Sequence, residues 1–189
     1  MEDLCAGKAR CAHPGPFVAE IQNITSALSG PYQDHVMRIN VQFRNVTSEP
    51  LILGYSAKSS KMVDNLGNEY YWGHAGTYDR SVTGMGIVES RSAGADFVLQ
   101  PGQQRMATFQ VTRYSTIRKQ LGTGFTWDFA VEQLEILPSS QVRAGRQYSL
   151  NFQDLAVRPP TAAGAPAQQR QATPAESMQQ LKDLFKKKK

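Results

Sequence analysis

Three histidines, two cysteines and a run of tyrosines are where this chain could do chemistry. His13, His35 and His74 are its three imidazoles. An imidazole works as a general base or metal ligand only with a second group of fixed geometry beside it, and none of the three lies in a nucleophile or metal-binding motif. His35 opens a strand pattern and is expected at an exposed edge. His74 follows Trp72 in an irregular stretch, with Asp64 and Asp79 as the nearest acids of interest. A hydrolase using His74 with one of those carboxylates is the enzymatic alternative.

The tyrosines cluster around it. Tyr55, Tyr70, Tyr71, Trp72 and Tyr78 lie on either side of a turn-rich segment. In a structural account Tyr70 and Trp72 face the core and Tyr71 covers an edge. In a functional account Tyr71, Trp72, His74 and Tyr78 form a contact surface with the glycine-rich residues up to 88, because aromatic rings give much contact area at small entropic cost. Asp64, Asn65, Asn68, Glu69 and Asp79 lack the alternation of an EF-hand loop, so turn chemistry explains them better than calcium. Asp128, Glu132 and Glu135 are spaced as on a solvated strand face rather than as an acid–base pair. Gly84 and Gly86 make no phosphate loop. No metal or cofactor is expected.

Cys5 and Cys11 are the two cysteines. An isolated close pair near the start favours a small disulfide loop over zinc ligation with His13, and with it an oxidising compartment. Met1-Glu2-Asp3 is not a signal-peptide start, so a periplasmic or secreted location is expected with the export signal removed. The net charge of +5 is uneven. Residues 159–189 hold six basic and two acidic side chains, leaving fifteen and fourteen for the rest. A nearly neutral body implies no nucleic-acid face.

The elements that must position these groups are strands. Met37, Ile39, Val41 and Phe43 alternate with Arg38, Asn40, Gln42 and Arg44, the pattern of a half-buried strand. Asn45–Pro50 is turn-rich, and Leu51 starts a second strand, expected to pair with the first at the centre of the domain. Phe17–Ile24 is a first strand and Thr25–Asp34 a loop. Lys61–Trp72 is a hairpin about Asp64–Asn68. Arg105–Val111 follows the Pro101-Gly102 turn. A short helical turn is expected around Ile117–Leu121. Phe125, Trp127, Phe129 and Val131 form an inward row, and Leu134 and Ile136 fall on the other parity, predicting a β-bulge near Glu132-Gln133. Gln147–Leu155 closes the body. Many short strands and no long helical period indicate an all-β, antiparallel two-sheet β-sandwich. Its expected parts are a lead-in at 1–16, the sandwich at 17–157, a disordered Pro/Ala/Gln linker at 158–173 and a basic amphipathic helix at 174–189.

Asn45, then Asp64, Gly67 and Tyr70, then Leu99, Pro101, Gly102, Ala107 and Phe109, together resemble secreted bacterial immunoglobulin-like domains of the telokin-like type over about residues 17–155. The resemblance implies an extracytoplasmic sandwich used for binding or as an accessory module, and no catalytic residue.

The expected function is therefore a non-enzymatic module engaging a protein or envelope partner through residues 70–88. A cytosolic or phage-related structural protein is the further alternative. The tail offers a second contact, for a partner's groove or an anionic membrane surface, with Met178, Leu181, Leu184 and Phe185 on one face and Lys186, Lys187, Lys188 and Lys189 at its end. Truncation at Arg158 should leave thermal unfolding of the body unchanged and weaken sedimentation with anionic vesicles or partner. Unchanged association would remove the tail from this scheme.

Overall fold

Met37, Ile39, Val41 and Phe43 have no exposed surface, so the alternation that suggests a half-buried strand holds. The computed structural model describes residues 4–72, 82–89, 92–114, 120–138 and 141–157. Among them are thirteen strands and no helix. The strands are β1 (Cys11–Ala12), β2 (Phe17–Ser29), β3 (Asp34–Asn45), β4 (Leu51–Ser56), β5 (Lys61–Asp64), β6 (Glu69–Trp72), β7 (Val82–Thr83), β8 (Gly86–Glu89), β9 (Ser92–Ala93), β10 (Val98–Leu99), β11 (Gln104–Arg113), β12 (Gly124–Ile136) and β13 (Val142–Ala156). All pairings are antiparallel except that of β4 with β8.

Hydrogen bonding joins the strands into one continuous 13-stranded sheet, in two groups linked where β6 pairs with both β11 and β5. One runs β1-β2-β3-β11, with β6 and β7 sharing the far side of β11. The other is built on β12, which has β13 along one side and β5 followed by β4 along the other, with β8 and β9 beyond β4. The inner rings of the two groups touch. Phe109 of β11 lies 5.3 Å from Trp127 and 4.8 Å from Phe129 of β12, and 5.7 Å from Tyr55 of β4. Phe17 of β2 meets Tyr148 of β13 edge-on at 5.4 Å.

Several local expectations are met. Met62 pairs with Tyr70 in the hairpin. Gly67 and Gly102 take the left-handed backbone their turns require, at φ of 77° and 74°. The register of β12 on β13 shifts between Glu132 and Leu134, where the change of parity places a bulge. Others need correction. Residues 25–29 are strand rather than loop, because β2 stays paired with β3 as far as Ser29↔Asp34 and a tight turn at Gly30–Gln33 makes the reversal. β3 and β4 are not partners: β3 lies between β2 and β11, while β4 crosses to β12. The crossing is tied at its start by Asn45, whose side-chain amide donates to the carbonyls of Glu49 and Leu99 at 2.7 and 2.9 Å. Its amide oxygen accepts from the backbone and hydroxyl of Thr47. Ile136 is exposed, since β12 has run past its second neighbour, β4, by that point. The helical turn expected near 117–121, the linker and the tail helix fall wholly or mainly outside the described residues.

Phe109→Ala removes the ring that touches both groups. It should cost about 3–5 kcal/mol of unfolding free energy, measured by urea denaturation.

Candidate functional site

The tyrosine cluster is organised by β6, which changes partner at its midpoint. Glu69 and Tyr70 pair with Val63 and Met62 of β5, whereas Tyr71 and Trp72 pair with Thr112 and Val111 of β11. The pleat sends successive side chains to opposite faces. Tyr70 is buried, Tyr71 is 47% exposed, and half-buried Trp72 rests 5.3 Å from the Tyr55 ring.

The hairpin turn ahead of β6 depends on Asp64. One carboxylate oxygen accepts from the backbone N–H of Leu66 and of Asn68, at 2.9 and 2.8 Å. The other accepts from the Asn68 side chain at 2.8 Å and the Gly122 N–H at 2.9 Å. Burial pushes this carboxyl up, but those hydrogen bonds outweigh it and hold Asp64 below the usual carboxylate range. The acid and amide residues of this segment thus act in the turn. Among the described residues no group of three or more His, Cys, Asp or Glu is placed to hold a metal ion.

Inside β6, the Tyr70 hydroxyl lies 2.9 Å from His35 Nδ1, and the two rings meet edge-on. His35 Nε2 is 3.1 Å from the Ser26 hydroxyl. A neutral imidazole therefore donates to one hydroxyl and accepts from the other. His35 is only 2% exposed, against the expectation of an exposed edge residue. The reason is the extended β2: Leu28 lies opposite His35 on one side and Arg113 of β11 on the other. Burial and the nearby Arg113 charge lower the His35 pKa from 6.5 to about 4, with Asp64 opposing in part. Burial, then the Asp64 charge, pushes the Tyr70 phenol well above its ordinary range.

Outside β6, the Tyr71 ring is stacked on Tyr114, with centroids 6.2 Å apart and planes 25° from parallel. Its hydroxyl donates to Glu69 at 3.4 Å. Of the four residues singled out as a contact surface, Tyr71 and Trp72 thus point to opposite sides. His74 and Tyr78 lie outside the described residues, as do Asp79 and the tail residues Met178, Leu181, Leu184, Phe185 and Lys186–Lys189. Cys5 and Cys11 are disulfide-bonded, with Cα atoms 5.4 Å apart. Sequence reasoning missed Ser26, Arg113 and Tyr114. The signal for Tyr114 was parity: it sits two residues beyond Thr112, the partner of Tyr71.

A separate cleft of about 490 Å³ opens beside β4 and β8, lined by Ser56, Ala57, Lys58, Val88, Glu89, Glu132 and Ala144. Its floor is tight. A Cβ on Gly86 would lie 2.2 Å from the Gly94 carbonyl oxygen, and one on Gly54 would lie 2.5 Å from a Val88 methyl.

No family model matches this chain, and no curated protein does. A solved structure of a conserved hypothetical protein from Bacillus anthracis is similar at 13% identity, over 72% of this chain and 92% of that one, with a TM-score of 0.37. That likeness carries no activity over.

The His35 environment sets a pH dependence. The unfolded chain takes up the proton more readily, so stability from neutral His35 is complete above about pH 6.5 and is lost as pH falls towards 4. The full span is worth on the order of 3 kcal/mol. Asp64, with its depressed pKa, destabilises the fold only in stronger acid. Urea unfolding at pH 7 and pH 4.5 should show the loss in the native chain, and His35→Gln should remove most of it.

Proposed function

We propose that this chain is a non-enzymatic, extracytoplasmic binding module that engages an envelope protein through Tyr71 and the residue 70–88 segment. Its basic tail is a second contact, to the partner or to an anionic membrane surface. The observation that carries this reading is the Tyr71–Tyr114 pair. Its outward ring stands on a short strand whose preceding side chain, Tyr70, is tied to His35. A ring held in place before binding loses little entropy on contact. His74 and Tyr78 come after β6 in the chain, outside the described residues.

Other features support the setting. The Cys5–Cys11 disulfide favours an oxidising compartment over the cytosolic alternative. The facing inner rings of the two strand groups favour an immunoglobulin-like sandwich of the telokin-like type. Asn45, Asp64, Gly67 and Gly102 occupy turns of the kind that resemblance implies. In the form of the hydrolase alternative that uses Asp64, that carboxylate would have to give up four hydrogen bonds to assist His74; the form that uses Asp79 lies outside the described residues.

The test is capture of envelope proteins on immobilised native chain and on a Tyr71→Ala/Tyr114→Ala variant, with bound proteins quantified by mass spectrometry. A specific partner should fall by roughly tenfold or more, as for a contact of about 2 kcal/mol. Thermal unfolding of the variant should stay near that of the native chain. Equal capture by both proteins would overturn the proposal.

A further inference from the structure

We propose that the His35–Tyr70 contact is an acid-sensitive latch on β6: protonating the buried imidazole releases this strand from between β5 and β11 while the β12–β13 side of the fold stays formed.

The geometry concentrates the effect on one short element. His35 is joined to β6 through the Tyr70 hydroxyl and to β2 through the Ser26 hydroxyl. Arg113 of β11 stands opposite it in the register, and Asp64 faces it from the end of β5. The hydroxyls of Tyr70 and Ser26 can each accept a hydrogen bond, so protonation need not leave a donor unsatisfied. Protonation instead adds a positive charge inside the protein near a second one, Arg113. Asp64, the carboxylate among the described residues whose charge opposes this, is already committed to four N–H groups. A buried cation with so little compensation is relieved by reaching water.

A weakly laddered route to water runs through β6. It has two register pairs with β5 and two with β11, whereas β12 has eleven with β13. Elements with few ladder bonds open at a small fraction of the global unfolding free energy. The lowered pKa of His35 is what such coupling requires, because the latched form must resist the proton that the opened form accepts. Opening would also part Tyr71 from Tyr114, so acid would dismantle the contact surface. That consequence alone rests on the proposed binding role.

Amide hydrogen exchange on the full chain tests the latch without a partner, so its outcome is independent of whether Tyr71 binds anything. After correction for intrinsic rates, protection of residues 69–72 should fall roughly tenfold to a hundredfold between pH 7 and pH 4.5. Trp127–Val131 in β12 should lose protection no further than global stability falls and should stay well above that of 69–72 at pH 4.5. His35→Gln should show no such step. Tyr70→Phe keeps His35 but cuts its tie to β6, and should leave 69–72 poorly protected at both pH values. The proposal is overturned by a pH-independent native chain, by residues 69–72 and β12 opening with the same free energy at pH 4.5, or by a full step persisting in either variant.

Discussion

Everything in this fold is built around one apolar meeting point. Phe109 touches Phe43 in its own strand group and Tyr55, Trp127 and Phe129 in the other. Trp127 and Phe129 continue the contact to Phe152 of β13. Ring burial of this extent supplies the main favourable term in folding, and it dictates which residues of each strand must point inward. The turns then have little freedom. Asn45 and Asp64 use side-chain oxygens to satisfy backbone donors where the chain leaves its ladders.

Against that apolar background the His35 cluster is a deliberate expense. Burying an imidazole, a phenol and a guanidinium side by side costs free energy unless each finds a partner. Here the hydrogen bonds cross between strands, from β3 to β2 and β6. They therefore fix orientation where apolar contacts, being non-directional, would not. The outward-facing Tyr71 inherits that precision from its inward-facing neighbour Tyr70.

The strands were legible because their periodicity is local. Met37–Phe43, Phe125–Val131 and the bulge near Glu132 all follow from alternation within a few residues. The β5–β6 hairpin was legible from Asp64, Gly67 and Asn68, whose turn chemistry is equally local. What could not be read was the pairing of distant strands. Nothing between Asn45 and Leu51 says that the chain changes ladders rather than doubling back, because both outcomes need a turn. His35 was misjudged for the same reason. Its burial depends on Leu28 and Arg113 lying to either side, a property of the register and not of the residues near it. Half of the candidate site was foreseeable: Tyr71 outward and Tyr70 inward follow from parity, while Arg113 and Tyr114 come from the end of β11 and just beyond it, some forty positions later.

The placement of β3 between β2 and β11 also bears on how the chain is made. β2 and β3 are synthesised together and can form a hairpin at once. The other side of β3 has no partner until Gln104–Arg113 has emerged. Until then a strand whose inner row is Met37, Ile39, Val41 and Phe43 presents open backbone groups and apolar side chains to any neighbouring nascent chain. A topology of this kind places its greatest demand on whatever shields the polypeptide before its second half arrives.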